Sequence, residues 1–210
     1  MKYTRNKREL QANKSKPVKV IGLTGGIASG KTVATSALKK TSFTVIDADE
    51  ISRTSFARGT DGERTLMQIF PAAATNGALD RAKLRNIISR DDKERVKLNE
   101  TTHPIIIAEI KRIISTAKGT VVLSAPLLFE SGLSALCDCT VCVYCPRKLR
   151  ISWLTARDGI TAADAERIID AQIPDTERCT MSDYIVPNGG DEGAFVEEIV
   201  ELFREIVINS

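Results

Sequence analysis

Histidine is almost missing from this 210-residue chain: His103 stands alone. A zinc site of the H-E-x-x-H type, or any site built on two histidines, is therefore excluded. Aromatics make up only 5% of the residues, too few for a row of base-stacking platforms. No apolar run approaches the roughly 18 residues that a membrane-spanning helix needs. Charge of one sign is scarce as well, since 30 Lys and Arg face 27 Asp and Glu for a net +3. Even that excess is local. Residues 2–16 carry Lys2, Arg5, Lys7, Arg8, Lys14 and Lys16 against Glu9, a charge of +5, which leaves residues 17–210 at −2. No nucleic acid is expected as a partner of such a domain, and the basic arm 1–16 reads as a flexible terminus. The arm lacks the apolar stretch of a signal peptide, so a cytoplasmic protein is expected. What is present, 42% hydrophobic residues over this length, suffices for one globular domain, 17–210, with a sizeable core.

Four of the five cysteines form a C-x-C-x2-C-x2-C run, Cys137, Cys139, Cys142 and Cys145, with Cys179 apart. A metal cluster is one reading. The stretch 139–145 is rich in β-branched residues, however, and on a strand Cys139 and Cys145 point one way and Cys142 the other. Thiolates on opposite faces cannot converge on one tetrahedral ion, so reduced, buried thiols are expected.

Strand-like apolar runs at 18–24, 43–46, 120–124, 139–145 and 184–186 alternate with helical stretches. That alternation implies an α/β fold: a five-stranded parallel sheet with flanking helices. Helical signals dominate 61–117, with Asp80 as an N-cap and one long or Pro104-broken helix over 93–117. A second helical block, 146–182, contains a capping-box-like Thr161-Ala162-Ala163-Asp164. The last helix, about 191–207, carries Phe195, Ile199, Leu202, Phe203 and Ile206 on one stripe. The two blocks are longer than a crossover requires, and each reads as a subdomain.

The run Gly25-Gly26-Ile27-Ala28-Ser29-Gly30-Lys31-Thr32 fits G-x-x-x-x-G-K-[ST] in full, between a strand and a helix. Its glycines let successive backbone N–H groups wrap phosphate oxygens, and the following helix presents its positive end to the same anion. Lys31 reaches the β- and γ-phosphates, and the Thr32 hydroxyl binds Mg²⁺. A P-loop protein that takes ATP is expected. At the carboxyl end of the second strand, Asp49 can orient an attacking hydroxyl, and Asp47 is either a helix N-cap or a magnesium ligand. Block 146–182 carries Arg147, Lys148, Arg150, Arg157, Arg167 and Arg178, suited to a lid that stabilises a transferring phosphoryl group. His103 is either a substrate contact or a packed polar residue.

Together these residues resemble the dephospho-CoA kinase family. The similar landmarks are Leu23 to Thr32, Ile46-Asp47-Ala48-Asp49 with Arg53, and Leu79-Asp80-Arg81 with Leu84-Arg85. His103-Pro104, Pro126-Leu127-Leu128-Phe129-Glu130, Arg157-Asp158, Gln172, Asp183 and Asn188 with Gly190 follow in the same order. The resemblance implies transfer of the ATP γ-phosphoryl to the ribose 3′-hydroxyl of dephospho-CoA, giving CoA and ADP. It implies Asp49 as catalytic base, with Lys31 and a lid Arg157 as the other catalytic residues. Gly25 to Val33, including Val33 itself, and Asn188 near adenine are the implied nucleotide contacts. Asp49, Arg53, Arg85, His103 and Leu127 are the implied dephospho-CoA contacts, with 61–117 as the CoA-side subdomain and 146–182 as the lid. The chain departs from the family where Ser124 replaces a frequent acidic residue, which leaves Asp47, Asp49 and Glu130 as candidates beside Thr32 for the Mg²⁺ shell. It departs again where Arg150 and Trp153 stand near the usual Gln and Arg. The P-loop and lid alone serve a nucleoside monophosphate kinase equally well. A GTPase would need N-K-x-D late in the chain, whereas both Asn-Lys pairs precede the first of these strands.

Overall fold

The computed structural model describes residues 2–6 and 20–209. In chain order the elements begin β1 (Thr4–Arg5), β2 (Val20–Gly25), α1 (Lys31–Leu38) and β3 (Thr44–Asp47). Next come α2 (Ala48–Ser55), α3 (Asp61–Ile69), β4 (Ala74–Thr75), β5 (Ala78–Leu79), α4 (Arg81–Arg90) and α5 (Asp92–Thr116). The chain ends through β6 (Val121–Ser124), β7 (Cys139–Tyr144), α6 (Arg147–Asp158), α7 (Ala162–Asp170), α8 (Asp175–Met181), β8 (Tyr184–Pro187) and α9 (Glu192–Ile208). Two compact units result, one of 1–47 with 117–210 and one of 48–116.

The first unit is built on a sheet in the order β1-β8-β7-β2-β6-β3. Its five main strands are parallel, as their near-continuous apolar runs require of strands covered on both faces. Leu23 pairs with Ser124 and Val141, and Asp47 pairs with Ser124. That register lines up the carboxyl ends of β3, β6 and β2, the edge where open α/β sheets bind ligands. Helix α9 buries Phe195, Ile199, Leu202, Phe203 and Ile206 in the core with Ile21, Leu23, Leu38 and Val141. Each such side chain contributes about 1.5–3 kcal/mol on burial. The helix starts where the Asp191 carboxylate accepts the Ala194 N–H at 3.0 Å.

Three expectations about this unit change. The sheet gains a short antiparallel edge, because Thr4 and Arg5 pair with Ile185 and Tyr184 of β8. The expectation of a flexible arm is thereby corrected over 2–6; residues 7–16 lie outside the described residues. Arg5 stacks over the Tyr184 ring at 5.8 Å, Tyr3 donates to Glu205, and Asn6 donates to the carbonyls of Cys179 and Ser182. The lid block does not stand apart either: Leu154, Ala165 and Ile169 pack with Ile151, Ile160, Ile27 and Ala28 of the phosphate loop. On β7, Cys139 joins the sheet core while the Cys142 thiol lies 4.0 Å from that of Cys179. All five cysteines are free thiols.

The second unit begins at Ala48, ahead of the expected 61. Its core is Phe56, Leu66, Phe70, Ala73 and Leu84, with Leu79, Ile87, Leu98 and Ile105 packed around it. Asp80 caps α4 as the sequence predicts, accepting from Ala82 and Lys83 N–H. Helix α5 runs through Pro104 without a break. The helical expectation fails at 74–79, where β4 and β5 form a hairpin across Asn76 and Gly77. Both take positive φ, 50° and 73°, the type I′ geometry that Asn-Gly favours.

Candidate active site

Strand β2 delivers Gly25 to the carboxyl edge of the sheet, and the chain turns through 26–30 into α1. The turn closes where the Ser29 N–H donates to Gly26 O at 3.0 Å. No described side chain caps α1, so the N–H groups of its first turn are left for an anion. Gly30 enters the helix at φ 99°, a left-handed conformation that suits glycine. A Cβ there would also strike the Asn188 amide nitrogen. Ser29 is 1% exposed and its hydroxyl has no hydrogen-bond partner among the described residues.

Lys31 and Thr35 close a small hydrogen-bond ring with Ser124. The Lys31 ammonium donates to Ser124 Oγ at 3.1 Å, and the Thr35 hydroxyl donates to Lys31 O at 2.8 Å. With Thr35's single proton committed, the 2.9 Å contact between the two hydroxyls must have Ser124 as donor. The lysine is thus held at the end of β6 by a neutral group, beside Asp47 in the pairing register.

Side chains far along the chain shape the loop. The Ile27 N–H donates to Gln172 Oε1 at 2.7 Å, and Ile27 O accepts from Arg150 Nε at 2.7 Å. Arg150 is 1% exposed and pairs through Nη1 with Asp175. Asp175 in turn pairs with buried Arg178 at 3.0 Å, whose Nη2 lies 3.6 Å from Glu130. Asn188 donates to Ser29 O at 2.9 Å. Of these, Gln172, Glu130 and Asn188 are among the family landmarks, while Arg150 is flagged by its place in a basic block and as a departure from the family pattern.

Arg157, the expected lid arginine, is exposed and bidentate to its neighbour Asp158 at 2.7 and 2.8 Å. The lid arginine that touches the loop is Arg150. Asn188 grips the loop backbone, and the Ile27 N–H, an expected phosphate donor, is held by Gln172. Glu130, a candidate for the magnesium shell, lies 3.6 Å from Arg178. Thr32 is exposed on α1, Val33 packs against the sheet core, and Leu127 is half exposed beyond β6. In the second unit, Asp49 and Arg53 lie exposed on α2, Arg85 is exposed on α4, and His103 is half-buried on α5.

The dephospho-CoA kinase family model matches residues 19–193. The chain belongs to the dephospho-CoA kinase family. It is 36% identical to the dephospho-CoA kinase of Geobacillus kaustophilus over 191 residues, 88% of this chain and 95% of that protein. The solved dephospho-CoA kinase from Campylobacter jejuni superposes with a TM-score of 0.69 at 25% identity, covering 90% of this chain and 97% of that one. The structure of TT1252 from Thermus thermophilus gives 0.80 at 26% identity, covering 90% and 98%. Dephospho-CoA kinases are phosphotransferases, so this chain is an enzyme of the kinase class with ATP as phosphoryl donor. One landmark of this dephospho-CoA kinase serves the fold itself. Asp183 accepts both the Thr140 N–H and its hydroxyl at 2.8 Å, fastening the entry of β8 to β7.

Proposed function

We propose that the protein transfers the γ-phosphoryl of ATP to the ribose 3′-hydroxyl of dephospho-CoA, giving CoA and ADP. One observation carries the reading: an uncapped helix start behind a complete phosphate loop, in a chain matched to this family over 19–193. The N–H groups of α1 and Lys31 take the phosphates, and Lys31 leaves Ser124 to do so. Asp49 orients the hydroxyl and receives its proton late in the transfer, since a carboxylate is a weak base near neutral pH. Arg53, Arg85, His103 and Leu127 serve dephospho-CoA. Arg157 joins the transfer only by exchanging Asp158 for a phosphoryl oxygen.

Mg²⁺ fits the donors present. Mg²⁺ prefers one or two carboxylates with phosphate and water, and Thr32 in the first turn of α1 and Asp47 at the end of β3 are oxygen donors of that kind. Thr32 and Asp47 are the residues that would hold it, and when bound it neutralises charge on the phosphate oxygens. No described helix is long and apolar enough to cross a membrane, and a cytoplasmic setting goes with two small soluble substrates.

The test is ADP release with ATP-Mg²⁺ and a panel of dephospho-CoA, CMP, AMP and uridine. Turnover with dephospho-CoA alone is expected. Turnover with a nucleoside monophosphate and none with dephospho-CoA would favour the nucleotide-kinase reading and sink this one.

A further inference from the structure

The guanidinium of Arg150 is buried and held on two sides. Its Nε donates to Ile27 O at 2.7 Å and its Nη1 pairs with Asp175, yet its Nη2 is buried with no hydrogen-bond partner among the described residues. The unpartnered nitrogen is not adrift. A Cβ placed on Gly26 would lie 2.6 Å from Nη2 and 2.9 Å from both Cζ and Nη1, so the guanidinium fills the space beside the second residue of the phosphate loop. Leaving a charged donor buried and unfilled is costly. It persists here because the other two nitrogens and Asp175 fix the side chain, and because Ile27 is held on its opposite side by Gln172.

We propose that Arg150 is a positioning residue for nucleotide phosphates: it sets the phosphate loop through Ile27 and Gly26, and its unpartnered Nη2 edge places a cationic donor beside the loop. The inference rests on the proposed ATP-dependent reaction but concerns only the nucleotide side of it. Asp175 tempers the charge from the Nη1 side and also pairs with Arg178, which lies 3.6 Å from Glu130, while the Nη2 edge beside Gly26 has no partner among the described residues. A polyanion arriving at the loop is attracted by that nearby cationic donor, whereas an uncharged nucleoside gains nothing from it. The glycine at 26 is required for the same reason, because any side chain would displace the guanidinium.

The experiment compares ADP affinity with the inhibition constant of adenosine against ATP, in wild type, Arg150→Gln, Arg150→Lys and Gly26→Ala. Loss of a charge-assisted contact predicts ADP binding weakened by about 10- to 100-fold in Arg150→Gln, with adenosine unchanged. Arg150→Lys, which keeps the charge, should recover part of the loss. Gly26→Ala should reproduce the selective defect with Arg150 in place, and it serves as the decisive variant if Arg150→Gln does not fold. Unchanged ADP affinity in folded Arg150→Gln or in Gly26→Ala overturns the proposal. Equal weakening of ADP and adenosine also overturns it, because that marks a general collapse of the site. A wild type that binds ADP but ignores dephospho-CoA would defeat the proposed reaction and leave the Arg150 assignment standing.

Discussion

Replacing Ser124 by Ala opens the ring that parks Lys31, and its cost follows from the structure. The Lys31 ammonium loses its 3.1 Å acceptor and Thr35 Oγ1 loses its 2.9 Å donor. Thr35 keeps its bond to Lys31 O, so no buried hydroxyl proton is orphaned. A charge-assisted bond is worth about 1.5–3 kcal/mol and a neutral one about 1. Lys31 is only half-buried, so water recovers part of the first, and the total comes to about 2 kcal/mol. For a chain of this length that is a fall in Tm of about 4–8 °C. The deletion of one oxygen leaves no cavity large enough to confuse the reading. Thermal melts of the nucleotide-free protein measure the fall, and melts at saturating ADP should narrow it, because bound phosphates replace Ser124 as the partner of Lys31. A nucleotide-free Tm within about 1 °C of wild type, or a deficit that survives ADP in full, would refute the ring.

Asp49→Asn keeps the shape but removes the proton acceptor, so kcat should fall on the order of 100-fold or more while ADP binding is retained; near-normal turnover in a coupled assay would remove Asp49 from its role. Glu63 accepts the Leu79 and Gly59 N–H groups, which hold its carboxyl below the ordinary 4.5. Its stabilisation is therefore full above that value and lost as pH falls through the lower, folded value. Glu63→Gln should lower Tm at neutral pH, with the gap closing in acid; a gap that does not depend on pH would contradict this. Among the thiols, burial pushes Cys137 up to about 12, Cys145 to about 11 and Cys139 further still. The contact between Cys142 and Cys179 raises the first thiol and lowers the second, and burial raises Cys142 further. Iodoacetamide at about pH 8 should modify Cys179 first, as peptide masses would show, and early labelling of Cys139 would contradict the burial argument.

Features written locally in the chain were legible in its sequence. The five parallel strands announce themselves as apolar runs, the α9 stripe by its period, and the caps at Asp80 and Thr161 by residue type. The Thr161 cap closes through its own hydroxyl onto Asp164 at 2.7 Å, a variation that the shorter acid permits. The hairpin at 74–79 escaped because two-residue strands have no period to detect, although Asn76-Gly77 carried the turn signal. Thr4 and Arg5 escaped because their strand owes nothing to apolar alternation. They pair because the outer edge of β8 would otherwise leave its N–H and C=O groups unmatched, and Arg5 and Asn6 then find Tyr184 and the last carbonyls of α8.

At the candidate site the division is sharper, since the motif states which residues the loop has without stating why. Gly26 and Gly30 read as flexible points of a phosphate cradle. In the fold both also make room, one for the Arg150 guanidinium and the other for the Asn188 amide. Those two side chains and Gln172 come from the 146–182 block and the end of β8, well over a hundred residues beyond the loop, so no window of local pattern could connect them to it. Arg157 drew attention through the family resemblance, whereas Arg150 stood out only as a departure from the family pattern. The basic block 146–182 shows six candidate cations to the sequence, and only the fold distinguishes the buried one that grips Ile27 from the one that pairs with its neighbour in solvent. The phosphate loop of this chain is thus shaped as much by what the later helices press into it as by its own glycines. Substitutions in those helices should therefore reach nucleotide affinity without touching the motif.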